Sequence, residues 1–157
     1  MALSVGTLCI TAQPGPHKKE MAGDHKMAMS KEPHHMLAMA YHQNVVTFAK
    51  SLAKQANDGP LNVEFARTAV KEMRRGFDEM QLHHDAHMKT MPAGMPTKME
   101  GMMRKMETHR TEMKNSLKAL EVEIGMATPD AKKVSALAVS VGTHCEAMMN
   151  QGGMAKT

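Results

Sequence analysis

The residues that could do chemistry in this chain are His and Met. Among 157 residues there are 20 Met and 10 His, against two Cys and no Trp. Met80–Met91 shows the pattern: Met-Gln-Leu-His-His-Asp-Ala-His-Met-Lys-Thr-Met. Imidazole and thioether together select soft or borderline metal ions. Met favours Cu(I), imidazole suits Cu, Zn and Ni, and few carboxylates lie among these residues. Thioethers also keep their donor character under oxidising conditions, where thiols are lost to disulfides.

Such donors act together only if the fold gathers them, and their spacing is helical. Residues three and four apart share a helix face. Met80, His84, His87 and Met91 therefore form one stripe, which continues backwards through Phe77, Met73, Val70, Ala66 and Val63. The earlier half is ordinary core, and the later half is imidazole and thioether. Asn62 can cap this helix, and Pro92-Ala93-Gly94-Met95-Pro96 ends it at about Met91. It spans roughly 45 Å at 1.5 Å per residue.

The preceding helix is predicted over Pro33–Asn57, with Ser30 upstream as a cap and Pro33 in its first turn. Its stripe Leu37, Tyr41, Val45, Phe48, Leu52 is one core face, beside His35, Met39, His42, Val46, Ala49, Ala53. Asn57-Asp58-Gly59-Pro60 stops both. A third helix starts at the capping box Thr97-Lys98-Met99-Glu100. Its seam is Met99, Met102 or Met103, Met106, His109, Met113, Leu117, Leu120, Ile124, and Gly125 closes it. Thr128 caps a fourth helix with Pro129 at its first position and Val134, Leu137, Val141, His144 or Cys145, and Met148 inward, fading at Asn150.

Four helices with short connections predict an all-α fold, an antiparallel up-down-up-down four-helix bundle with a flexible N-terminal arm. Reflection about the turns sets His35 near His84, Met39 near Met80, His84 near Arg104, and His109 near Cys145. All four His/Met segments then meet at one end, with Phe48, Leu52, Val63, Val70, Leu117, Leu120, Ile124, Val134 and Leu137 at the other. The predicted metal ligands are His35, Met39 and His42; Met80, His83, His84, His87, Met88 and Met91; Met99, Met102, Met103, Met106 and His109; and His144, Cys145 and Met148. Met fills irregular cores well, and Met73, Met113 and Met126 are assigned to packing. Packing gives no reason for Met to segregate with His, and burying several unpaired imidazoles is costly. Because imidazole ligates when neutral, affinity at the His positions is expected to fall below about pH 6.

Other functions fit less of the pattern. Met/His ligation could hold haem in a bundle, but no Cys-x-x-Cys-His motif exists and haem needs two ligands. A di-iron centre wants two Glu-x-x-His pairs, and only Glu32-Pro33-His34-His35 has that spacing. A Zn- or Ni-binding sensor, or a chaperone with a plastic Met surface, would keep its Met in an exposed groove. No phosphate-binding Gly loop is present. His144 and Cys145 diverge by about 100° on a helix, so nucleophilic catalysis has little support. The net charge of +4 comes from Lys and Arg interleaved with acids, and one Tyr and three Phe supply no stacking platform for nucleic acid.

The segment Ala2–Ala12 is apolar, contains Cys9 and is too short to span a bilayer. It reads as a remnant of a secretion signal over residues 1–12. Residues 13–32 read as a flexible arm bearing His17, Met21, His25, Met27 and Met29, and residues 152–157 as a flexible tail. A periplasmic or secreted location is expected, with no stable membrane insertion.

His34-His35-Met36-Leu37-Ala38-Met39-Ala40 and His83-His84-Asp85-Ala86-His87-Met88 resemble the paired-His, Met-spaced helices of periplasmic copper-resistance proteins. The overall plan is similar to bacterial helical-bundle copper-binding and copper-storage proteins, over roughly Pro33–Met106. The resemblance implies sequestering or handing on copper in the cell envelope, without catalysis. Cu(I) is the expected ion, Ag(I) should replace it by the same softness, and a copper-delivery or efflux protein is the expected partner.

Overall fold

Three of the four helices begin where a side chain accepts from their first free N–H groups. In the computed structural model, which describes residues 32–90 and 97–151 (side chains of 97–99 and 151 excepted), α1 is Pro33–Asn57, α2 Val63–Thr90, α3 Thr97–Gly125 and α4 Ala131–Gln151. Residues 1–31 and 152–157, and with them the expected secretion remnant, most of the arm and the tail, lie outside the described residues, as does Met91.

The cap of α1 is Glu32 instead of Ser30: its carboxylate accepts from the His35 N–H at 2.7 Å. Pro33 takes the first helical position, which leaves the residue before it as the cap. Asn62 Oδ1 accepts from the Phe65 N–H at 2.9 Å, as its sequence predicts. At α4 the cap is Asp130 in place of Thr128, accepting from Lys132 N–H (2.8 Å) and Lys133 N–H (3.2 Å).

The helices pack as an antiparallel up-down-up-down bundle, and among the described residues there is no strand. α1 lies between α2 and α4, and α3 packs on α4; α2 and α3 close the ring with the least contact, and the backbones of diagonal pairs stay apart. Two ion pairs span that looser side, Arg74–Glu121 at 2.7 Å and Arg110–Asp85 at 3.6 Å. Reflection about the Pro92–Pro96 turn put His84 level with Arg104. The Asp85–Arg110 pair shows α3 starting further beyond the end of α2 than that.

The core is continuous through Val45, Leu52, Met73, Phe77, Met113, Leu117, Leu120, Val134, Val141 and Cys145, all essentially without solvent exposure. Phe48 and Leu137 pack against it partly buried. On α1 the buried face is Ala38, His42, Val45, Val46, Ala49, Leu52, Ala53 and Ala56, between the two stripes read from sequence. Leu37 is therefore turned outward and 42% exposed. Small residues on that face let neighbouring helices approach. Met126, expected in packing, lies just past the end of α3 and is 51% exposed.

The α3–α4 junction is tied by Glu123, whose side chain is 3% exposed. It ion-pairs with Lys133 at 2.5 Å and accepts from the Asp130 N–H at 2.9 Å. The Lys133 ammonium and that N–H hold the Glu123 carboxyl below the usual range. No helix among the described residues is long and apolar enough to cross a membrane.

Gly76 sets the α1–α2 distance. A Cβ there would lie 2.9 Å from Val45 Cγ2, inside contact distance of a fully buried β-branched residue. Gly76→Val is expected to lower unfolding free energy by about 2 kcal/mol or more, because the overpacked helices must separate. Urea denaturation followed by circular dichroism checks this. Wild-type stability in the variant would show that the α1–α2 contact yields freely.

Candidate metal site

At the end of the bundle holding the α1 N-terminus, the helix faces change from aliphatic to His and Met and enclose a cavity of about 130 Å3. All four helices line it: His35, Ala38, Met39 and His42 from α1; Met80, Gln81, His84, His87 and Met88 from α2; Met102, Met103, Met106, Glu107 and Arg110 from α3; Met148 and Met149 from α4. Eight thioethers and four imidazoles thus share one space. Eleven of the residues predicted as ligands are among them.

The imidazoles are held differently. His42 is 7% exposed, and its Nε2 is buried with no hydrogen-bond partner. Burial, reinforced by His84, pushes its pKa down to about 4. His84 Nδ1 is likewise buried without a hydrogen bond. The Asp85 carboxylate lies 3.6 Å away, beyond hydrogen-bond reach. Burial lowers the His84 pKa, with Arg110 and His87 adding to the effect against Asp85. His35 is lowered too, first by burial and then by the neighbouring His87. His87 is anchored: Glu32 Oε2 sits 3.0 Å from its Nδ1, which leaves Nε2 as its remaining donor atom. A carboxylate on one ring nitrogen fixes the tautomer and orientation of a ligating imidazole. Burial alone would raise the Glu32 carboxyl, but the His35 and His34 N–H groups and the His87 imidazole together bring it below its ordinary value.

The cavity rim carries Glu107 and Arg110, paired at 2.5 Å, with Asp85 3.6 Å from the same guanidinium. Two carboxylates thus flank the one guanidinium at this edge.

The remaining predicted residues sit elsewhere. His83 pairs with His34, Nδ1 to Nδ1 at 3.0 Å, and stacks on Tyr41. It sits one position from His84, on the flank of α2. Cys145 takes the inward position on α4, fully buried, and donates its S–H to the His42 carbonyl at 3.6 Å. Burial pushes its thiol far above the usual range, so it persists as a thiol. His144, one residue earlier, is turned to α3, where His109 and Glu112 meet it. Between Met106 and Met113 the inward seam admits either position 109 or 110, and it passes through Arg110. His109, Glu112 and His144 bring three donor atoms within 4.8 Å of one another, a cluster that could hold a metal ion. The side chain of Met99 lies outside the described residues.

Sequence reasoning missed Gln81, Glu107, Arg110 and Met149 as cavity residues, and Glu32 as the partner of His87. The signal for Glu32 was present: a Glu directly before Pro at a helix start, level with the last turn of α2. Comparison with protein-family models, curated proteins and solved structures finds no match for this chain.

The lowered imidazoles give the metal-free protein a defined response to acid. Between the ordinary His value of 6.5 and about 4, the unfolded chain protonates at His42 while the folded one does not. The stability His42 contributes is thus complete above pH 6.5 and lost as pH falls through 4. The loss is on the order of 3 kcal/mol for this residue. His84 and His35 shift in the same direction. Urea titrations from pH 7 to 4 should show that decline, and His42→Leu should flatten it. An unchanged slope in the variant would place the acid response in other groups. Burial thus keeps the His42 ring neutral well below pH 6.

Proposed function

We propose that this protein binds Cu(I) in the His/Met cavity and serves to sequester it or pass it on. The observation that carries this reading is a cavity lined by eight thioethers and by two imidazoles, His42 and His84, that each have a buried ring nitrogen without a hydrogen-bond partner. An unpaired polar atom in a dry site is costly, and a metal ion removes that cost by taking up the lone pair. Thioethers are weak hydrogen-bond acceptors, so they contribute little to such a site without a soft cation. Cu(I) accepts both donor types, and Ag(I) should substitute for it. His42, His84, Met80 and Met39 form the inner donor set, and Met102, Met103 and Met106 supply thioethers from α3. The reading is one of binding without catalysis. The likeness of its His/Met helices to periplasmic copper proteins supports an exported carrier that meets a delivery or efflux partner.

The cavity volume disfavours haem. Pockets for organic ligands run to roughly 300–1,000 Å3, against about 130 Å3 here.

The test is an anaerobic Cu(I) titration of the full chain against a chromophoric Cu(I) chelator, beside parallel titrations with Zn(II), Ni(II) and haem. Cu(I) retention is expected, with no haem absorption band. Met80→Leu combined with Met39→Leu should weaken Cu(I) by tenfold or more while keeping the fold. His42→Leu with His84→Leu should do the same. Cu(I) affinity unchanged in both double variants would remove the cavity as the site.

A further inference from the structure

A second donor cluster lies on the outer face between α3 and α4, separate from the cavity lining. His109 and Glu112 are three apart on α3 and so share a face, and His144 meets them from α4. The His144 Nδ1 is 3.0 Å from Glu112 Oε2, the His109 Nδ1 is 3.5 Å from the same oxygen, and the two ring nitrogens are 3.4 Å apart. Those are the edges of a nearly regular triangle. In a tetrahedral zinc site with bonds near 2.0–2.1 Å, ligand atoms lie about 3.3 Å from one another. The three atoms already stand at the spacing that one shared ion imposes.

We propose that His109, Glu112 and His144 form a second metal site, for a borderline divalent ion of the Zn(II) type, which fastens α3 to α4. Its chemistry differs from that of the cavity. Two imidazoles and one carboxylate are harder than thioethers and suit Zn(II) over Cu(I). Two imidazoles with one Glu is also a donor set that leaves the fourth zinc position to water. Space for that water is present: the side chains of His109 and His144 are about a quarter exposed, and Glu112 is 47% exposed. Two ring nitrogens and an anionic oxygen lie within 4.8 Å of one another, so a single cation among them is within reach of all three. The frame is preset below it by the Ser116–Ser140 hydroxyl pair at 2.9 Å, which fixes the α3–α4 register.

The experiment uses the full metal-free chain with Zn(II) in competition with a chelator of micromolar affinity, and Co(II) as the spectroscopic probe. The wild type is expected to take one Zn(II) at this site and to show the intense visible absorption of four-coordinate Co(II). Glu112→Gln and His144→Gln should each weaken Zn(II) by at least tenfold and abolish that absorption. The cavity double variant His42→Leu/His84→Leu should retain both. Zn(II) should raise the melting temperature of the wild type and not that of Glu112→Gln. The proposal is overturned if the wild type loses Zn(II) to the chelator, or if either single variant holds it as tightly as the wild type. It is also overturned if the ion leaves only when His42 and His84 are replaced. These surface variants should keep Cu(I), so failure here is distinguishable from failure of the cavity reading.

Discussion

The structure depends on how a small helical bundle encloses imidazole. A ring nitrogen without a partner in an apolar interior costs about 1–3 kcal/mol, and two such atoms belong to His42 and His84, residues that line one cavity. Small domains have only 5–15 kcal/mol of net stability to offset such costs. The other half of the bundle meets that demand: Leu52, Leu117, Leu120 and Val134 are fully buried, and the buried Glu123 carboxylate there is ion-paired with Lys133. The two halves therefore have distinct tasks. One holds the helices together, and the other gathers imidazoles and thioethers around one cavity.

Helical geometry also sorts the donors by type. A step of one residue turns a side chain by about 100°. On α4 that step separates Cys145, inward and bonded to the His42 carbonyl, from His144, outward and facing Glu112. On α3 it separates Arg110, at the cavity rim, from His109. On α2 it separates His84, in the cavity, from His83, stacked on Tyr41. Neighbouring residues thus serve different surroundings, with thioethers inside and the imidazole–carboxylate trio outside.

Much of this was legible in the sequence. The helix limits followed from Pro33, Asn62, Gly125 and the Asn57–Pro60 turn, and the up-down order followed from short connections. The meeting of His35, Met39, His42, Met80, His84 and His87 followed from helical period and reflection. What escaped was rotation and slide. Period alone allows 109 or 110, and 144 or 145, on an inward seam, because three- and four-residue steps serve equally well. Leu37 was placed inward for its apolarity, yet the alanines of α1 decide which face packs closest. The slide of α3 along α2 is set by Arg74–Glu121 and Arg110–Asp85, pairs of long side chains that leave no periodic trace. Glu32 was read as arm, although its position before Pro33 makes it both cap and anchor.

The contact between α1 and α4 orders events during synthesis. The Cys145 S–H donates to a carbonyl 103 residues earlier, and Ser135 donates to Ala53 across 82. Contacts of such separation form late, after the loop entropy between them has been lost. The hairpin of α1 and α2, with its imidazoles, leaves the ribosome well before Met148 and Met149 exist. Until those two thioethers arrive, the cavity lacks its fourth wall.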